Sequence, residues 1–175
     1  MILSDYPQAT KTERLLFRKL YIDDMLPWQT FLANEACTAY YPQHMRNNPV
    51  DGALKWMEKQ ICRYRDGKGG LMAVIEKDSG KFIGQCGLII QEVDDQPELE
   101  VGYHFLPEYW GMGYATEAAI AMKKLGFSIS KVDRIISIIQ KDNLASQHVA
   151  RRNGMNVLKE TVWNTLHVKI YGIYR

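Results

Sequence analysis

The sequence predicts an α/β domain with a mixed sheet, its elements in the order β-α-α-β-β-β-α-β-α-β-β. Alternating or β-branched runs recur between segments whose apolar residues fall at helical spacing. Short clusters of turn residues separate these segments, with no repeat, linker or low-complexity stretch. A length of 175 residues suits a single domain over 1–175 that buries well over half of its unfolded surface.

Thr12 to Leu20 reads as the first strand. Tyr21 to Asn34 reads as a helix begun near Asp23-Asp24, with Pro27 tolerated in its first turn. Asn47-Asn48-Pro49 stops the chain and restarts it. From Val50 to Arg65, Leu54, Trp56, Met57 and Ile61 recur at helical spacing, and Asp66-Gly67 ends that helix. Leu71 to Glu76 and Lys81 to Gln91 form a hairpin about Lys77-Asp78-Ser79-Gly80. After a turn at Asp94-Asp95-Gln96-Pro97 comes the alternating strand Glu98 to Phe105. Beyond a glycine turn, Ala115, Ala118, Ala119, Met122, Leu125 and Ile129 make one apolar helix face, its small early residues allowing close approach to the sheet. Arg134 to Gln140 is a β-branched central strand. Leu144 to Arg152 is a helix capped by Asn143 and ended by Asn153-Gly154. Val157 to Val162 and Leu166 to Tyr174 close the chain as two strands about a Trp163-Asn164 turn.

Composition narrows the function classes. The net charge of +2, with no Lys/Arg block, argues against a nucleic-acid partner. No 18-residue apolar run and no apolar signal core appear, so a cytoplasmic protein without a membrane partner is expected. Cys37, Cys62 and Cys86 form no C-x-x-C pair and read as small core hydrophobes. His44, His148 and His167 have no ligand spacing, so no metal is expected, and His104 on the alternating strand reads as a structural histidine ahead of a proton shuttle.

The segment carrying chemistry is Pro107-Glu108-Tyr109-Trp110-Gly111-Met112-Gly113-Tyr114-Ala115-Thr116-Glu117-Ala118, set between a strand and a helix. Glycines in such a turn let backbone amides approach an anion, and the helix N-terminus adds partial positive charge, so a phosphate or diphosphate is the natural ligand. The dinucleotide fingerprint does not fit. Gly111-Met112-Gly113 continues to Thr116 where a glycine is required, four residues separate strand from turn, and Asp133 precedes the next strand when it should end it.

The segment instead resembles the acyl-CoA-binding motif of the GNAT acetyltransferase superfamily, (Gln/Arg)-x-x-Gly-x-(Gly/Ala), with Trp110, Gly113 and Ala115 at its three defined positions. Tryptophan at the first position is the form of the ribosomal-protein N-acetyltransferase-like (RimJ/RimL-type) branch. Asn143-Leu144-Ala145-Ser146, running on to Gly154-Met155, resembles the later family motif Asn-x-x-Ser-x-x-(Val/Ile)-x-x-(Lys/Arg)-x-Gly-Phe, with methionine replacing the aromatic. The resemblance covers essentially the whole chain. It implies a mostly antiparallel sheet flanked by helices, acetyl-CoA as cofactor, and N-acetylation of a primary amine. A non-catalytic acyl-CoA-binding module of the same fold is the alternative, and a monomer or homodimer is expected.

By that resemblance the coenzyme contacts are expected from Phe105 and Leu106, from the main chain of Trp110, Gly111, Met112, Gly113, Tyr114, Ala115 and Thr116, and from Asn143, Ser146 and Arg152. Asn143 and Ser146 also have an ordinary explanation as N-cap and first-turn residue. The chemistry needs a neutral amine: an α-amine with pKa about 7.8 gives up its proton at pH 7 for about 1 kcal/mol, a lysine for about 4–5. Glu100 is the candidate base, on the same strand face as Glu98, whose charge is expected to raise its pKa. Ser146 is the candidate donor to the leaving thiolate, with Tyr114 or Tyr171 in reserve. The acceptor, a small-molecule or peptide amine, is expected among Trp28, Glu35, Tyr40, Tyr41 and Trp163, with His44 and Asn164 nearby.

Overall fold

The computed structural model describes residues 2–41 and 48–175. Eight strands form one sheet: β1 (Ala9–Lys11), β2 (Leu15–Lys19), β3 (Gly69–Glu76), β4 (Phe82–Val93), β5 (Gln96–Phe105), β6 (Arg134–Gln140), β7 (Asn156–Trp163) and β8 (Leu166–Tyr174). Their spatial order is β1-β2-β3-β4-β5-β6-β8-β7. Every neighbouring pair is antiparallel except β5 with β6, which run parallel and meet at one register position, Glu100 opposite Ile136. The helices are α1 (Met25–Ala33), α2 (Glu35–Thr38), α3 (Pro49–Arg65), α4 (Tyr114–Ile129) and α5 (Leu144–Arg152). The mixed, mostly antiparallel sheet flanked by helices is the expected architecture. Among the described residues no helix is long and apolar enough to cross a membrane.

Local chemistry sets the boundaries. Asn48 caps α3, its side chain accepting from the Asp51 amide at 3.2 Å, with Pro49 in the first turn and Arg63 and Arg65 in the last. Asn143 caps α5, accepting from the Ser146 amide at 3.0 Å. The expected single first strand is two: the Thr12 amide donates to the Leu15 carbonyl at 2.9 Å and the Thr12 hydroxyl accepts from the Leu15 amide at 3.1 Å, closing a turn over Glu13-Arg14. The last hairpin turns on Asn164 and Thr165, at φ +47° and +69°, one residue beyond the expected Trp163-Asn164.

Strand alternation divides the core. Leu99, Val101 and Phe105 of β5 pack with α4, whose Ala118 and Ala119 are fully buried and whose Gly126 lies so close to Ile135 that a Cβ would stand 2.8 Å from it. The opposite face carries Trp28, Phe31 and Leu32 of α1 and Ala53 and Met57 of α3. Glu98, Glu100, Gly102 and His104 of β5 fall on that second side by the same alternation.

Candidate active site

The site lies where β5 and β6 part. At the apex Ser137 Oγ donates to the Val101 carbonyl at 2.8 Å, buried between the strands. Beyond it β6 leads away to α5, whose Ser146 carbonyl accepts from Tyr103 Oη at 2.9 Å across the gap. Leu106 N–H donates to the Ile83 carbonyl on β4 at 3.0 Å, so backbone alternation turns the amides of Tyr103 and Phe105 toward the open side. The expectation of a coenzyme contact from the Leu106 amide is thereby corrected: that amide is spent within the sheet, and the side chain is buried against α1 and α3.

A cavity of about 710 Å³ opens from this gap, and Glu100, Asn143, Ser146, Tyr40, Tyr41 and Trp163 all border it. Asn164 borders it too, whereas Trp28 and Glu35 do not. Trp28 is fully buried in the core, stacked on Phe31 with ring centroids 4.2 Å apart. Glu35 sits in the first turn of α2 and borders a separate hollow with Leu32 and Thr38. Both expectations fail because the turn after α1 carries Glu35 outward while the aromatic face of α1 turns in. His44 falls outside the described residues.

Glu100 is buried, accepting from Gln91 Nε2 at 3.1 Å and from the Ile138 amide at 3.3 Å. Burial pushes its carboxyl above the ordinary range, against the pull of those two bonds and of Arg63 and Lys59. Glu98 is not the cause. It is held by Arg134 in an ion pair, which corrects the expected mutual repulsion. Gln91 in turn accepts from Arg63 Nη2 at 3.1 Å, and Arg63 Nη1 donates to the Ile90 carbonyl at 3.0 Å. A glutamine amide thus relays between guanidinium and carboxylate.

Neighbouring His104 has Nδ1 2.6 Å from Tyr41 Oη and is ringed by Trp28, Phe31 and Trp56. Burial lowers its pKa to about 4, keeping the imidazole neutral. Across the gap, the Ser146 hydroxyl hydrogen-bonds to no described residue, whereas Asn143 Oδ1 is committed to its cap, leaving the Asn143 amide NH₂ as the free donor. The reserve tyrosines lie elsewhere: Tyr114 donates to Glu76, and Tyr171 donates to Gln147 Oε1 at 3.0 Å inside the core.

Beside the cavity, the glycine loop opens α4. Gly111 at φ +76° and Gly113 at φ +83° adopt the left-handed conformation that glycine tolerates best. The Trp110 amide donates to the Pro107 carbonyl and its indole to the Phe105 carbonyl, so the expected contribution of the Trp110 amide is also corrected. The amides of Gly111, Met112, Gly113, Tyr114, Ala115 and Thr116 donate to no described protein group; the Glu117 amide begins the helix ladder by donating to the Gly113 carbonyl. Six free amides at a helix N-terminus suit an anionic ligand. Arg152 is exposed at the far end of α5, about 13 Å along the helix from Asn143.

Sequence reasoning missed the loop's support. Arg14 Nε donates to Glu117 at 2.7 Å, Nη1 to the Met112 carbonyl at 3.0 Å, and the guanidinium lies 4.3 Å from the Tyr114 ring centre. Thr12 Oγ1 donates to the same Glu117 carboxylate at 2.6 Å. Reading Thr12 to Leu20 as one strand hid the turn that delivers Arg14. Lys59, Arg63 and Gln91 were also missed, although Trp56, Lys59 and Arg63 share one helical stripe.

Comparison with known proteins agrees with this geometry. The family model described as the acetyltransferase (GNAT) domain matches residues 14–156. YkkB of Bacillus subtilis, an uncharacterized protein, is 39% identical over 90 residues, which is 51% of this chain and 52% of that protein; the match spans about half the length of each. The acetyltransferase (GNAT family) from Bacillus anthracis superposes with a TM-score of 0.76 at 24% identity, over 95% of this chain and 98% of that one. RimL, a ribosomal L7/L12 α-N-protein acetyltransferase solved in complex with coenzyme A, superposes with a TM-score of 0.75 at 17% identity, over 97% of each chain.

Proposed function

The chain belongs to the GNAT acetyltransferase family, whose members draw on acetyl-CoA, and from that premise we propose that it moves the acetyl group to a primary amine by direct attack. The observation that carries the reading is a buried, pKa-raised Glu100 bordering the same cavity as the unengaged hydroxyl of Ser146. The chain over 1–175 is read as one GNAT domain, with its tryptophan-bearing loop motif favouring the RimJ/RimL-type branch.

In this mechanism the glycine-loop amides hold the diphosphate, and the arm enters the gap past Asn143. Glu100 takes the proton from the ammonium, directly or through one water, and the freed nitrogen attacks the thioester carbon. Negative charge develops on the carbonyl oxygen, where the amides of Phe105 and Tyr103 are turned to meet it. The carbon–sulfur bond then breaks, the nitrogen keeps the acetyl group as an amide and gives up its extra proton, and the thiolate, held by a hydrogen bond from Ser146, takes that proton up. The base is needed because an ammonium cannot attack.

The test is thiol release from acetyl-CoA in the presence of small amines, amino acids and amino-terminal peptides. Release that requires an amine is the expected result. No release with any amine, together with a thermal shift by acetyl-CoA, would assign the chain to a binding module; ligand at 100 times its Kd stabilises by about 2.7 kcal/mol.

A further inference from the structure

The charge lining the cavity says what kind of amine it takes. Among the described residues that border it, Glu100 is the one acid, while Lys59 and Arg63 supply two cations and His104 stays neutral. Lys59 and Arg63 are one turn apart on α3, where like charges repel. Arg63 is held in place by the Ile90 carbonyl and by Gln91, which together use two of its five N–H groups. Lys59 hydrogen-bonds to no described residue and is partly withdrawn from water, which lowers its pKa, as does Arg63. An acceptor bearing only a cationic amine would meet this pair as a net repulsion. An acceptor that also carries an anion would neutralise it.

We propose that the acceptor is a primary amine that also carries a carboxylate, the amine directed to Glu100 and the carboxylate to Lys59 and Arg63. The inference rests on the acetyl-transfer reading of the cavity. Its spacing follows from the relay: one glutamine amide separates the Arg63 guanidinium from the Glu100 carboxylate, so the acceptor's two ends lie only a few bonds apart. Arg63 supplies a planar fork that matches a carboxylate, and Lys59 a mobile point charge beside it. The same chemistry is offered by a free aminocarboxylate and by a peptide whose first residue is acidic.

Two matched pairs decide between these sources and test the idea. One pair is 4-aminobutyrate and 4-aminobutyramide; the other is Asp-Ala-Ala-amide and Asn-Ala-Ala-amide. The acidic member of at least one pair is expected to show about tenfold higher kcat/KM in thiol release, and the pair that responds identifies the source. Lys59→Met is expected to narrow that ratio by raising KM for the acidic member, while Lys59→Arg retains it. Equal or better use of both neutral members, or a ratio unmoved by Lys59→Met, would overturn the proposal. Should none of the four release thiol, the transfer reading fails by itself, and calorimetric titration of 4-aminobutyrate into the coenzyme A-loaded protein then decides. Saturable binding of 4-aminobutyrate over its amide that weakens in Lys59→Met upholds the anion site; no such preference overturns it.

Discussion

Gln91 and Glu100 are joined by a 3.1 Å hydrogen bond whose direction is fixed from behind, because the Gln91 carbonyl is already occupied by Arg63. The amide NH₂ must therefore face the carboxylate. Gln91 favours the ionised form of Glu100 while burial opposes it, and burial wins.

For Glu100→Gln, kcat/KM is expected to fall roughly 10²–10⁴-fold. In the parent protein the rate rises with pH through a value above the ordinary glutamate range, because the base must be ionised; the variant should lose that limb. The same shift has a stability consequence. The folded state holds this proton to higher pH than the unfolded chain does, so stability drops as pH rises through the window just above the ordinary carboxylate pKa. Chemical denaturation at neutral pH should find Glu100→Gln at least as stable as the parent.

His104 has the opposite sign. Its folded pKa of about 4 lies below the ordinary value of 6.5, so the unfolded chain binds the proton first as pH falls. Stability present above pH 6.5 is lost between there and about 4, up to about 3 kcal/mol. His104→Gln should flatten the Tm-against-pH curve across that interval; an unchanged slope would show the acid sensitivity to arise elsewhere.

The glycine loop can be tested by backbone strain alone. A Cβ on Gly111 meets nothing within 4 Å, and one on Gly113 meets Arg14 Nη2 at 3.5 Å, an ordinary contact. Any penalty at either position therefore comes from the left-handed φ, about 1–2 kcal/mol for alanine. Both alanine variants should lose that stability and much of the thermal shift given by acetyl-CoA. A full shift in both would remove the loop from coenzyme binding.

Arg14→Ala removes the contacts that hold Met112 and Glu117. Each such bond contributes about 0.5–1.5 kcal/mol, so a rise in the acetyl-CoA Kd of roughly threefold to tenfold is expected. Titration should show that loss with kcat little changed, since Arg14 lies away from the Glu100 cavity.

Thr165 is a β-branched residue at φ +69° in a two-residue hairpin turn beside the cavity. Thr165→Gly should raise stability by about 1 kcal/mol by relieving that conformation. Thermal unfolding checks it directly.

The parts of the site legible in the sequence were those written locally. The Gly111-Met112-Gly113 turn, the Asn143 cap and the alternation that puts Glu98 and Glu100 on one face all follow from spacing of two to four residues. What stayed hidden depends on register between strands. Gln91 is paired with Glu98 yet bonds diagonally to Glu100, and Arg14 meets Glu117 across 103 positions of sequence. Trp28 and Glu35 misled for a related reason: residue type suggested a pocket, but the pitch of α1 and the outward turn at α2 decided where each side chain went.

The Ser137 hydroxyl, bonded to Val101 where β5 and β6 separate, acts as the rivet of a pair of shears. Each blade is stiffened by its own antiparallel partner, β4 on one side and β8 on the other, so the aperture is governed at the pivot. Bulk added or removed at this single position would therefore alter the width of the gap, with both blades left intact.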